Sequence, residues 1–404
     1  MGGWPGVPKG PHHEALPFAG LLRHDIMTNT DKFDTKLADS QGTQVAPIDP
    51  DRFDYEAYAD FEAGLLEQNR RFWEADGGVA VYRRFRVPAC FSWMCQDREA
   101  SLAHQLGALK ASTAYRADIA NFLEPWYGIG TLASAFGIDY VWPDRQAPVV
   151  PRAFGSLQEM LDYAATPVEE TAIGHQTLEM IEYFLDATRG KLPISLTDTQ
   201  SPLNALSFLV ETNGFYMSFL DAPEILSPIL DRLVPIQIDF VRKQLELIGD
   251  AIVWPGHGFA SSRAFSGLGM SDDVMALLSP AQYREFGIPG LSQCGEPFGG
   301  PVVHSCGNWA DKAEVVRNIR DLVMVDGAFT AETDPSPNDP ARFAEVFAGS
   351  GVVLNARMVG DKETVLECVK TLWKPGLKLI VVTYCQTPQE QAEVYNAVHE
   401  ICQV

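Results

Sequence analysis

PVVHSCG (301–307), LVMVDGA (322–328), GVVLNARM (351–358) and KLIVVTYC (378–385) are short apolar runs separated by amphipathic segments. That alternation predicts parallel strands joined by helices. Four further runs lie toward the N-terminus: VPACFSW (87–93), FGIDYVW (136–142), PISLTD (193–198) and DAIVWPG (250–256). Eight strands predict class α/β and a closed (β/α)8 TIM barrel, with extra helices in the long intervals between the second and fourth runs. The rival is an open doubly wound sheet. Eight runs, and no Gly-rich phosphate fingerprint after the first, favour the barrel and leave nucleotide phosphates without a binding motif.

Helix starts support this alternation. Ser156 with Glu159, Asp221 with Glu224, Ser279 with Gln282 and Thr387 with Glu390 have capping-box spacing, and Pro280 and Pro388 stand at first helical positions. Between Tyr55 and Trp73, Phe61, Leu65, Leu66 and Phe72 share one helical face. Residues 1 to about 50 have no apolar period and read as an arm. The division is therefore an extension over 1–78 and a barrel over 79–404.

The 404 residues carry 31 Lys and Arg against 53 Asp and Glu, a net charge of -22 that opposes nucleic acids and anionic membranes. No apolar stretch is long enough for a spanning helix, and Met1 to Gly20 lack the features of a secretion signal. A cytoplasmic protein is expected. Its seven cysteines, 90, 95, 294, 306, 368, 385 and 402, should then be reduced.

Side chains alternate along a strand, so His304 and Cys306 point the same way at the end of their run, just before Gly307. Barrel enzymes place their sites at strand C-termini. Cys385 closes the last run, and is expected as the third ligand of a zinc ion with an open fourth position, the catalytic pattern. Such a centre activates an incoming thiol. Cys294, ahead of the strand, is the rival third ligand. Strand ends also nominate Asp198 and His257 as catalytic groups, and Trp254, Asp326, Asn355 and Arg357 as substrate-binding groups. FLEPWYGIG (122–130) adds Glu124 to the substrate-binding set.

With VVHSCGN, Cys385 and SDDVMALLSPAQYREFGIP (271–289), the chain resembles the uroporphyrinogen decarboxylase superfamily of (β/α)8 barrels from about residue 80 onward. It is most similar to the zinc-dependent cobamide methyltransferase branch. The resemblance implies His304, Cys306 and Cys385 as zinc ligands, with Glu332 or Asp326 as a further acidic one. It also implies methyl transfer between a corrinoid and a small-molecule thiol or a methoxylated or methylated substrate, as in O-demethylation. No D-x-H-x-x-G segment is present, so the corrinoid is expected on a partner protein or free; a homodimer is the expected assembly. The alternative is a carboxy-lyase acting on an aromatic or porphyrinoid acid, with Arg98 and Arg357 gripping carboxylates. The stretch SWMCQDREA (92–100) holds only one arginine where the superfamily's decarboxylases carry Arg-Gln-Ala-Gly-Arg. A barrel merely stapled by zinc is the non-enzymatic reading.

Overall fold

The computed structural model describes residues 45–403; the arm expected over the first 50 residues lies mostly outside them. Six parallel strands form one sheet in the order β1-β6-β5-β4-β3-β2: β1 (Gly78–Arg83), β2 (Leu268–Ser271), β3 (Pro301–His304), β4 (Met324–Ala328), β5 (Val353–Arg357) and β6 (Lys378–Thr383). Shorter pairings complete the wall. Leu123 pairs with Ile194, Ile194 with Ile252, and Gln200 with Ser271 of β2, all parallel. Asp118 and Asn121 join this side to β1: Asp118 N–H donates to Val81 O, and Asn121 Nδ2 donates to Arg83 O. The result is the TIM-barrel architecture.

The side-chain period of two separates two apolar layers. Ala80, Tyr82, Val302, Met324, Val353, Ile380 and Val382 cluster with Phe259 inside the ring. Their neighbours Val81, Val303, Val325, Leu354, Leu379 and Val381 pack outward with helical residues such as Val346, Val369 and Val394. Gly269 of β2 leaves room for this interior: a Cβ there would stand 2.5 Å from the Phe259 ring. His304, Asp326, Asn355 and Arg357 continue the inward phase of their strands toward the C-terminal mouth.

Four of the eight expected strands form as ladders, at 301–304, 324–328, 353–357 and 378–383. PISLTD and DAIVWPG contribute only isolated bridges, parallel at Ile194 and Ile252 and antiparallel between Trp254 and Ser262. VPACFSW is not a strand. Pro88 opens a 3-10 turn, Pro88–Phe91, and a second covers Trp93–Gln96. In FGIDYVW only Val141 pairs, antiparallel with Val149 and outside the barrel. Strands β1 and β2 take their places: GVAVYR runs straight into the charged RRFR segment, and LGMS is four residues between turn-like sequences, so neither reads as an apolar run.

The caps at Ser156, Ser279 and Thr387 form, the second with both bonds of a capping box. The helix Pro223–Ile248 instead starts from Ala222, without a side-chain cap from Asp221. As expected, Tyr55–Glu74 is helical. It crosses the N-terminal end of the barrel, where Trp73 stacks on Phe265 at 4.5 Å and Lys378 Nζ donates to Trp73 O at 2.6 Å. No helix among the described residues is long and apolar enough to cross a membrane.

Asp118 ties this helix, β1 and the last helix together. Its carboxylate accepts from Val81 N–H at 2.7 Å and from Gln68 Nε2 at 3.2 Å, and from Tyr395 O–H at 2.6 Å, with His399 Nε2 2.9 Å away. Asp118→Ala should cost about 3 kcal/mol, because the Val81 N–H loses its buried acceptor. Urea unfolding checks this; a loss below about 0.5 kcal/mol would show the bonds to be incidental.

Candidate functional site

Parallel pairing aligns His304 of β3 with Asp326 of β4, and Asp326 with Asn355 of β5. Inward side chains of adjacent strands thus stand in one row across the mouth. Asp326 is fully buried; His304 Nδ1 donates to its Oδ2, Arg357 Nε donates to the same oxygen at 2.9 Å, and Asn355 Nδ2 donates to Oδ1. Burial opposes ionisation, yet Arg357 and His304 hold the carboxyl down to about 2. Tethering Nδ1 points His304 Nε2 at Cys306 Sγ, 3.4 Å away, and Asp273 Oδ1, 3.7 Å away.

Asp273, His304 and Cys306 are the group whose ligand atoms all lie within 4.8 Å of one another among the described residues. An imidazole, a thiol and a carboxylate, with a second carboxylate behind the imidazole, fit the donor set and outer shell of a zinc site. Burial works against protonation of His304, but Cys306 and Asp326 outweigh it and raise its pKa well above the ordinary value. A protonated imidazole does not ligate, so a metal ion held here would displace that proton.

Cys385 stands outside this group. Tyr384 joins the apolar interior of the barrel, whereas Cys385 joins the outer layer with Val381, one residue out of phase with the inward face. Burial pushes its thiol up to about 12, and its carbonyl accepts from Arg83 Nε. Two strands, β4 and β5, separate β6 from β3, whereas Asp273 follows β2, the immediate neighbour of β3. Glu332 is exposed and is not part of the three-residue group. Cys294 is sealed in the core, where burial raises its pKa.

A cleft of about 190 Å³ opens beside the three residues, lined also by Arg84, Arg86, Asp198, Gln200, His257, Phe259 and Arg357. Glu124 lies behind His257: its Oε2 is 2.7 Å from Nδ1 and accepts from Gly258 N–H at 3.2 Å. The other ring nitrogen, Nε2, is 3.5 Å from Asp198 Oδ2. That oxygen accepts from Trp126 Nε1, while Oδ1 accepts from Gln200 Nε2. His257 is thus held between two carboxylates at the cleft wall, a geometry suited to moving a proton. Trp254 stacks on Phe298 and is absent from the cleft lining. Asn355 is fully buried and positions Asp326.

Asp273, Arg84 and Arg86 also line the cleft and were not among the residues expected from the sequence. All three follow strands that the sequence reading did not recognise; with GVAVYR and LGMS read as strands, strand-end logic would have nominated them. Arg98, by contrast, is half-exposed on the helix Arg98–Ser112 and pairs with Glu179 at 3.1 Å.

Although burial alone would raise its pKa, His257, Arg84 and Arg86 hold Glu124 at about 2, against an ordinary value of 4.5. A carboxyl depressed in the fold stabilises it above the unfolded pKa, and that contribution fades as pH falls through the folded one. Glu124→Gln should therefore cost roughly 3 kcal/mol at neutral pH, with the gap to the parent protein closing between about pH 4.5 and pH 2. Denaturant unfolding at several pH values reads this out; a gap that stays constant with pH would overturn the charge argument.

Comparison with known proteins agrees with this architecture. No curated protein matches the chain in sequence. Among solved structures, a methyltransferase from Methanosarcina mazei superposes with a TM-score of 0.57 at 16% identity, covering 83% of this chain and 98% of its own. At that identity the likeness concerns the fold. The family model for uroporphyrinogen decarboxylase (URO-D) matches residues 78–390, from the first residue of β1 into the last helix. The chain belongs to the uroporphyrinogen decarboxylase family.

Proposed function

We propose that the chain is a zinc-dependent methyltransferase, moving a methyl group between a corrinoid and a small-molecule thiol or a methoxylated or methylated substrate held in the cleft. The observation that carries this reading is the convergence of His304 Nε2, Cys306 Sγ and Asp273 Oδ1, with Asp326 orienting the imidazole from behind. A methyltransferase among the structural neighbours is consistent with it. When bound, zinc would supply the positive charge that keeps a thiol ionised or polarises an ether oxygen.

The surrounding side chains have separate tasks. His304, Cys306 and Asp273 would hold the ion at the edge of the cleft. His257 exchanges a proton with the departing or incoming oxygen or sulfur, steadied by Glu124 and Asp198. Arg84, Arg86 and Arg357 line the same space and orient anionic substituents. The corrinoid comes from a separate carrier protein or free solution, and we place this chemistry in the cytosol, in a homodimer.

A second reading has a specific observation in its favour. Three arginines border the cleft, although the segment first compared with the decarboxylase motif contains only Arg98. Grip on a substrate carboxylate is thus available, and a metal-independent carboxy-lyase acting on an aromatic or porphyrinoid acid could use it. Carbon dioxide release from such acids by zinc-free protein would favour this reading.

Purified protein should retain about one zinc per chain. Cys306→Ser and Asp273→Asn should lose most of it, together with demethylation of methylcobalamin in the presence of a thiol. Asp326→Asn should weaken zinc binding about 10- to 100-fold while leaving the three ligands in place. Elemental analysis and chelator competition measure both effects. Zinc content unchanged in Cys306→Ser would sink the site, and loss of zinc in Cys385→Ser would put that thiolate in the shell in place of Asp273.

A further inference from the structure

We infer that the groove beside the metal cleft is a second ligand site, and that it takes a flat aromatic carboxylate. It has a volume of about 520 Å³, within the range of small-molecule sites. One wall is the pair of 3-10 turns Pro88–Phe91 and Trp93–Gln96; the other is the hairpin closed by the mutual Val141 and Val149 bonds of 3.0 and 2.8 Å. Its aromatic lining comes from Phe91 and Trp93, with Pro88 and Pro148 as further flat surfaces.

Its charge is the opposite of the chain's. The protein has a net charge of -22, yet the groove is lined by Arg86 and Arg145 and by no acidic residue. Both guanidinium groups already lie against rings: Arg145 Cζ is 5.3 Å from the Trp93 centroid, and Arg86 Cζ is 4.1 Å from that of Phe91. An aromatic acid satisfies both surfaces at once, its ring on the indole and its carboxylate on a guanidinium. A neutral ring brings Arg145 no carboxylate, and a non-planar acid loses the stacking.

The walls are built in place. Tyr140 O–H accepts from Gly130 N–H at 2.7 Å, and a Cβ on Gly128 or Gly130 would stand only 2.6 Å from Tyr140 atoms, so the hairpin sits directly on glycine backbone. Tyr127, Tyr140 and Trp142 pack together at its base, with centroids 5.5 to 6.0 Å apart. At the hairpin tip Arg145 holds φ 50, a left-handed conformation that arginine adopts at a cost. The groove also communicates with the chemistry: Arg86 lines both spaces, and the Phe91 ring lies 5.4 Å from that of His257.

Isothermal titration of chelator-treated protein with 2-naphthoate, 2-naphthamide and cyclohexanecarboxylate tests this independently of the metal reading. Naphthoate should bind about tenfold more tightly than either comparison compound. Arg145→Ala should abolish the preference for the acid over the amide. Trp93→Ala should weaken both aromatic ligands, with thermal melting points near the parent's showing that the two variants fold. Equal affinity for all three compounds, affinities untouched by both substitutions, or no saturable binding at millimolar concentration would overturn the assignment.

Discussion

The mouth of this barrel depends on a buried negative charge. Asp326 is fully inaccessible to solvent, and an isolated carboxylate there would be expensive to ionise. It is tolerated because His304, Asn355 and Arg357 converge on its two oxygens from the flanking strands. That convergence is a consequence of register. His304 pairs with Asp326, and Asp326 with Asn355, so a one-residue slip would turn these side chains to the helix-packed face and bring apolar neighbours inward. The same constraint that allows Asp326 to be ionised orients the imidazole beside Cys306 and Asp273.

The C-terminal half was legible because its strands are buried on both faces. Val302 and Val303, or Ile380 and Val381, must both be apolar when one meets the barrel interior and the other a helix, and such runs stand out in sequence. The N-terminal half lacks that signal. Around Leu123, Ile194 and Ile252 the wall is made of single bridges, and side chains such as Asn121 and Asp118 do part of the joining. An apolar run like VPACFSW, which packs its Cys90 and Phe91 into the core from a 3-10 turn, then looks more strand-like than the real wall does. His304 and Cys306 were found because both lie in or just past a legible strand. Asp273 was missed because β2 spans four residues, and Cys385 was expected inward because a strand end does not reveal its phase.

Charge follows a related division. The chain is strongly acidic overall, yet Arg84, Arg86 and Arg357 gather at the cleft. A small anion that reaches the mouth meets these arginines, with Arg145 in the adjoining groove. Net charge says nothing about an acidic small molecule, because the decisive charges are local and screened beyond about 8–10 Å at physiological salt.

The two sides of the mouth are suited to different demands. Asp273, His304 and Asp326 stand on or just beyond β2, β3 and β4, continuous parallel strands whose hydrogen bonds fix relative positions closely. The opposite side is built from Glu124, Asp198 and His257, on segments held by bridges, glycine-seated turns and side-chain bonds. Substitutions on that side can reshape what enters the cleft without moving a ladder strand, and the groove walls at 88–96 and 141–149 extend it outward. One barrel can therefore keep the row of His304, Asp326 and Asn355 while its looser side is altered to suit another substrate, because no strand that holds His304 or Asp326 has to shift in the process.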